Sequence, residues 1–214
     1  IISVYAFSVH HVGIEACAET CSHVIAHCKA VADVAAKLAS ELNNHGYKLD
    51  IALVRGSALA HDVARIHENH AAVGSKILEE LGYHDEADIV KVHMTYHSFN
   101  QIENANECDL VCLADRLVKE DKYVGLDERI TYILKKAPED EEIRHHILDG
   151  KKRTREFMDN IEKVIGKKID FLFHLDSQLE EVLRQVEKPG RYIGGEVNSI
   201  KKSPEDVKVR MAFA

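Results

Sequence analysis

Apolar residues recur along most of the chain at intervals of three and four, the spacing that places them on one face of an α-helix. From Cys21 to Asn43 the stripe is Val24, Cys28, Val31, Ala35, Leu38 and Leu42, and the polar run Asn43-Asn44-His45-Gly46 stops it. Asp50 is the expected N-cap of a second helix, with Val54, Ala58 and His61 on one face. A third follows Asn69, carries Val73, Ile77, Leu78 and Leu81, and ends at Gly82. A short fourth holds Ile89, Val90 and His93. The fifth is expected from about Glu107 to Glu120, burying Leu110, Val111, Ala114, Leu117 and Val118. Another runs from Leu126 to Lys135, and a long one follows Pro138 through Ile143, Ile147, Phe157, Ile161 and Val164 to Gly166. Leu172, Leu175, Leu179, Val182 and Val186 predict a last helix. No alternating strand pattern precedes residue 190, so the expected fold class is all-α, a helical bundle.

The bundle is expected over residues 20–170, with the additional helix at 171–187. Residues 1–19 show no clear period. At Glu187-Lys188-Pro189-Gly190 the composition changes, and 188–214 read as an irregular tail, the start of another domain. Ile1 is not a start residue, and the last residues resemble a strand just beginning; the expectation is a piece of a longer reading frame.

Composition narrows the class. Apolar residues are 45% and charged residues 30%, which suits a folded, soluble chain. No run reaches the roughly 18–20 apolar residues of a membrane helix. The net charge of −8 argues against a nucleic-acid partner. Five cysteines, an odd number without a leader pattern, read as reduced thiols in a cytoplasm. Only three prolines occur, all from Pro138 onward, which permits long helices. Fourteen histidines change the picture more, because imidazole both ligates metals and titrates near neutrality.

Four of the polar residues lie in apolar surroundings. His27 is on the stripe of the first helix with Val31, Val34 and Leu38. His61 and Asp62 end the apolar stretch that begins at Val54, and Asp115 sits in Leu110–Val118. A carboxylate forced inward is costly unless paired or metal-bound. Either four polar residues are satisfied separately, or two imidazoles and two carboxylates hold one divalent cation. Mixed N/O ligation suits Mn, Fe, Co, Ni or Zn, with Mg less favoured.

The order His27, His61-Asp62, Asp115 across an all-helical chain resembles the HD-domain superfamily of metal-dependent phosphohydrolases. The matching segments are HCKAVADVAAKLA, ALAHDVARIHENHAAVGSKILEELG, IVKVHM and LVCLADRLVKEDKYVGLDERI, across roughly residues 20–170. The resemblance implies that His27, His61, Asp62 and Asp115 are the metal ligands, with one ion expected rather than two. It implies a phosphatase or phosphodiesterase in which a metal-activated water attacks a nucleotide or related phosphate ester. Asp62 or Asp115 would assist, and Arg65, where the family usually has Lys, would offset phosphoryl charge. The other reading of Arg65 is a surface ion pair with Glu68. In dinuclear relatives histidines at the places of His70 and His93 hold a second ion or the substrate phosphate. Met94 stands where a His-His pair is common, and His97 could substitute. Arg116 and Lys119 are further phosphate candidates, or else solvated. No Gly-Tyr-Pro segment follows His93, which argues against the cyclic-dinucleotide subgroup.

LADRLVKEDKYVGLDERI and IEKVIGKKID look like a bacterial subgroup in which the HD domain follows a molybdenum-cofactor-type nucleotidyltransferase domain, so a fused transferase upstream is an expected partner. The tail from Glu187 resembles the start of radical-SAM proteins with a cobalamin-binding-like domain, without their cluster cysteines. The alternative function is a non-catalytic HD module that binds metal or nucleotide and regulates a fused or partner domain. A helical interaction domain with structural histidines is a third reading.

Overall fold

A computed structural model describes residues 18–173, with side chains from residue 22. Seven α-helices and one small hairpin are described: α1 (Ala18–Asn43), α2 (Ile51–Ala60), α3 (His70–Glu80), α4 (His84–Val92), α5 (Glu107–Asp115), β1 (Val118–Lys119), β2 (Lys122–Tyr123), α6 (Gly125–Lys136) and α7 (Glu141–Ile165). Short 3-10 turns at His93–Thr95 and Ile102–Asn104 join α4 to α5. The fold is all-α, as the periodicity predicts. No helix of the described residues is long and apolar enough to cross a membrane.

The α1 stripe is the spine. Cys28, Val31, Ala32, Ala35, Leu38, Ala39 and Leu42 are all fully buried. Small residues alternate with large ones, which lets α2 and α5 approach closely. After α1, Gly46 at φ 96° turns the chain, and the Asn43 side chain exchanges hydrogen bonds with Leu49 N and O at 2.8 and 2.9 Å. Asp50 then caps α2 by accepting from Ala52 N and Leu53 N, as expected.

Helix α5 is the most enclosed element, with Leu110 through Ala114 all buried. Its N-terminus carries a capping box between Asn106 and Asp109. Asp109 is completely buried, and its carboxylate also accepts from the Tyr96 hydroxyl at 2.6 Å and from Asn100 N at 3.0 Å. These bonds anchor the loop 96–106 above α5. Phe99 of that loop stacks on Phe157 of α7 at 4.5 Å. Helix α7 ends where Gly166 takes a left-handed conformation and donates to Glu162 O.

Two helix ends differ from the periodicity. Helix α2 stops at Ala60, so His61, Asp62 and Arg65 do not share a helical face. Tight turns follow, with Val63 N on Ala60 O and Arg65 N on Asp62 O, each at 3.0 Å. Helix α5 stops at Asp115, and the chain forms an antiparallel hairpin that pairs Val118 with Tyr123 and Lys119 with Lys122. β-Branched Val118 and aromatic Tyr123 favour this extended pairing. The absence of strands before residue 190 is corrected to that extent. Residues 169–173 are helical and open the last expected helix; its remainder, residues 1–17 and the tail lie outside the described residues.

Leu38 tests the spine. Leu38→Ala should lower unfolding stability by about 2–5 kcal/mol, read from urea titration, because no solvent reaches the site to fill the space.

Candidate metal centre

Six polar side chains that meet near the cavity come from helix ends or from one stripe. His27 lies on α1. His61 and Asp62 directly follow α2, His70 is the first residue of α3, His93 opens the turn after α4, and Asp115 is the last residue of α5. A helix C-terminus leaves carbonyls without an intrahelical donor. His61 and His93 use them: Nδ1 of His61 donates to Ala58 O at 2.7 Å, and Nδ1 of His93 to Val90 O at 2.7 Å. His27 Nδ1 donates to Glu120 O at 2.8 Å. A carbonyl only accepts, so each Nδ1 carries the proton and each Nε2 is directed inward. Glu120 stands in the hairpin at φ 55°, the one left-handed non-glycine among the described residues, and this geometry presents its carbonyl to His27.

The inward atoms form two groups that share Asp62. In the first, His27 Nε2 lies 3.1 Å from Asp115 Oδ1, while His61 Nε2 lies 3.8 Å from both Asp115 Oδ1 and Asp62 Oδ2. In the second, Asp62 Oδ1 lies 3.2 Å from His70 Nε2 and 3.7 Å from His93 Nε2. His61 Nε2 and His93 Nε2 are buried without any hydrogen-bond partner. A neutral imidazole that donates through Nδ1 presents only a lone pair at Nε2. Lone pairs facing carboxylates repel unless a proton or a cation lies between them. Ligands about 2.1 Å from one ion stand about 3.0–3.5 Å apart, close to the spacings seen here. The donor set and the orphaned nitrogens therefore fit a divalent metal.

Charge in the site is strongly coupled. Burial alone would raise the Asp115 pKa, but the His27 hydrogen bond and the charges of His61, His27 and Arg129 hold it well below the usual carboxylate range. Asp62 is lowered too, against burial, by His93, His61 and Arg65. Burial opposes protonation of His61, but Cys28 and the Asp115 and Asp62 carboxylates outweigh it and raise the pKa to about 10. Burial lowers the pKa of His70, against the pull of Asp62.

Of the expected residues, His27, His61, Asp62, Asp115, His70 and His93 come together. Arg65 joins them: its Nε lies 3.6 Å from Asp62 Oδ2 and its Nη1 lies 3.1 Å from His70 Nε2. These contacts replace the alternative pair with Glu68. His97 is not in the second group. Its ring packs edge-on against His146 at 5.3 Å on the cavity wall. Arg116 is not solvated; it donates to Thr154 Oγ1 at 3.1 Å and to the Tyr96 carbonyl, and lies over the Phe99 ring. Lys119 pairs with Glu128 at 3.5 Å.

A cavity of about 580 Å³ opens over the centre, lined by Asp62, Asp115, Arg65 and residues of α6 and α7. Sequence reasoning did not single out Arg129, His146 or Arg153 in its wall. A signal existed on α7: His146, Gly150 and Arg153 recur at helical spacing on a face that is neither apolar nor acidic.

Residues 24–119, somewhat under half of the chain, match the family described as HD domain. All six residues of the centre lie within this stretch, which is thus similar to the HD domain, and the superfamily that the match points to is one of metal-dependent phosphohydrolases. It is also 38% identical over 71 residues to an uncharacterized protein of Methanocaldococcus jannaschii, a stretch covering 32% of this chain and 42% of that protein. The chain thus spans less than half the length of this relative. No solved structure matches the chain.

Metal entry must displace any proton held between the imidazoles and carboxylates. Because the His61 pKa is raised, that competition persists to high pH. Metal affinity of chelator-treated protein should climb steadily from pH 6 to pH 9 in competition with an indicator dye. A flat profile would contradict the proton-metal exchange.

Proposed function

We propose that the chain is a metal-dependent phosphatase or phosphodiesterase acting on a small phosphorylated substrate, a nucleotide or related ester. His27, His61, Asp62 and Asp115 would hold one divalent transition-metal ion of the Mn, Fe, Co, Ni or Zn type. The observation that carries this reading is the 3.1 Å approach of His27 Nε2 to Asp115 Oδ1, with Nδ1 already donating to Glu120 O. Bound there, a divalent ion supplies Lewis acidity toward a phosphoryl oxygen and acidifies water.

The residues divide the remaining work. Arg65 lies beside Asp62 with its guanidinium half exposed to the cavity, where a bidentate fork would hold phosphoryl oxygens and offset their charge. Asp62 and Asp115 have low pKa values and are poor proton acceptors near neutrality, so they act as ligands and hydrogen-bond acceptors that orient a nucleophilic water. His70 accepts from Arg65 and fixes the guanidinium in place. In this reading the activity is cytoplasmic and stands beside a fused nucleotidyltransferase domain.

A second ion held by Asp62, His70 and His93 is favoured by one observation, the partnerless buried Nε2 of His93. Arg65 already brings positive charge to that group through His70. Arg65→Ala would then raise metal content from about one ion per chain toward two if the second reading holds, and leave it at one otherwise.

Elemental analysis of untagged protein, followed by assays on p-nitrophenyl phosphate, bis-p-nitrophenyl phosphate and nucleoside monophosphates with Mn, Co and Ni, tests the proposal. Asp115→Asn should lose the metal and the activity together. Arg65→Ala should keep the first ion and lose about 10²–10³ in kcat. Metal without turnover of any ester would favour the regulatory module, and no metal after reconstitution would overturn both.

A further inference from the structure

We propose that the cavity contains a second phosphate subsite, formed by Arg129 of α6 and Arg153 of α7 with Arg116 beside them, so that the substrate carries another phosphate besides the one that reacts. The inference rests on the phosphohydrolase reading of the same cavity and names its substrate class.

Four arginines line the cavity: Arg65, Arg116, Arg129 and Arg153. Two arginines outside the cavity meet carboxylates directly. Arg55 pairs with Asp33 at 2.7 Å, and Arg155 with Asp127 at 3.2 Å. For Arg116 and Arg153 in the cavity wall the acceptors are neutral. Arg116 donates to a hydroxyl and to a main-chain carbonyl. Arg153 donates through Nε to His97 O at 2.8 Å, which orients its guanidinium and leaves both terminal amino groups. Arg129 Nε is buried without a partner. Three guanidinium groups from three segments thus line one cavity with no direct ion pair to a carboxylate among the described residues, Asp115 acting on Arg129 and Arg116 only at longer range.

The lining acids do not cancel this charge. Asp62 and Asp115 belong to the metal centre, which leaves Glu120 at the edge. A cationic wall beside the reacting position recognises an anion, and planar guanidinium forks fit phosphate oxygens. The space is also too large for inorganic phosphate. At about 580 Å³ it is within the range of small-molecule sites. Val24, Ile130, Ile133 and Ile147 supply an apolar strip within it, suited to the organic part of an ester. The substrate class that uses all three features is an organic ester with at least two phosphate groups, one at Arg65 and one at Arg129 and Arg153.

Calorimetric titration of the full, chelator-treated chain with inorganic phosphate and with inorganic triphosphate tests the subsite without requiring turnover. Triphosphate should bind at least about tenfold more tightly than phosphate. Arg129→Gln and Arg153→Gln, each unfolding at the wild-type temperature, should each remove most of that preference while phosphate binding holds. Arg55→Gln, a surface control, should change neither. Equal binding of the two anions, or Arg129→Gln and Arg153→Gln variants indistinguishable from Arg55→Gln, would overturn the subsite. If one variant is unstable, Arg129→Lys or the other position decides. In the metal-loaded chain the same variants should raise KM for ADP about tenfold, hold kcat, and leave p-nitrophenyl phosphate kinetics unchanged. Failure of the metal-loaded wild type to hydrolyse any ester would sink the phosphohydrolase reading alone, since the triphosphate result is independent of it.

Discussion

Three imidazoles donate through Nδ1 to main-chain carbonyls, at 2.8, 2.7 and 2.7 Å for His27, His61 and His93. Everything distinctive about the centre depends on this. The bonds fix the tautomer and ring orientation without a carboxylate partner, as outer-shell bonds do around metal-ligating histidines. In the neutral rings they leave only a lone pair at each Nε2, although Asp62 and Asp115 lie within 4 Å of them, so that a proton or a metal ion must lie between. A pocket of hydrogen-bond acceptors is electrostatically incomplete, and a cation completes it. The backbone decides this because the carbonyls are offered where α2 and α4 end and where the hairpin turns back toward α1.

Helix termination is therefore part of the site. The C-terminus of a helix carries negative partial charge and favours a cation nearby. Helices α2, α4 and α5 all end at the centre, supplying His61 with Asp62, His93 and Asp115. Had α2 continued past Ala60, Ala58 O would have gone to an intrahelical donor and the His61 ring would be free to turn. The tight turns from His61 to Asn69 also allow Asp62 to face both groups at once, Oδ2 toward His61 and Oδ1 toward His70 and His93. Arg65 reaches back to Asp62 across one such turn rather than along a helix.

The periodicity located the helices because each buries one continuous face, as α1 does from Cys28 to Leu42. It also located the chemistry, since a His or Asp inside an apolar stretch must face the interior with the residues around it. The ends were harder to read. Leu117 and Val118 continue the apolar pattern of α5, and nothing in their spacing distinguishes a buried strand from another helical turn. The choice is made by tertiary context: Val124 N and Gly125 N both bond to Leu117 O and hold the hairpin. The Glu120 carbonyl is a main-chain group and leaves no side-chain signature. Arg116 looks like a surface residue beside Asp115, and only the fold brings Thr154, Tyr96 and Phe99 around it. His97 and His146 are far apart in sequence and meet because loop 96–106 is pinned to α5 by Asp109.

That pinning connects the structural and chemical halves of the molecule. Asp109 and Asp115 lie on the same helix, both in apolar surroundings, but they are satisfied differently. Asp109 accepts from Tyr96, Asn100 and Asn106, a set of neutral donors that needs no cation. Asp115 faces His27, His61 and, at longer range, Arg129. A buried carboxylate with enough neutral donors stabilises a fold. One that faces lone pairs and cationic side chains instead is held ready for an ion and an anionic ligand. The contrast within nine residues of α5 separates the aspartate that builds the loop above the cavity from the aspartate that serves the cavity itself.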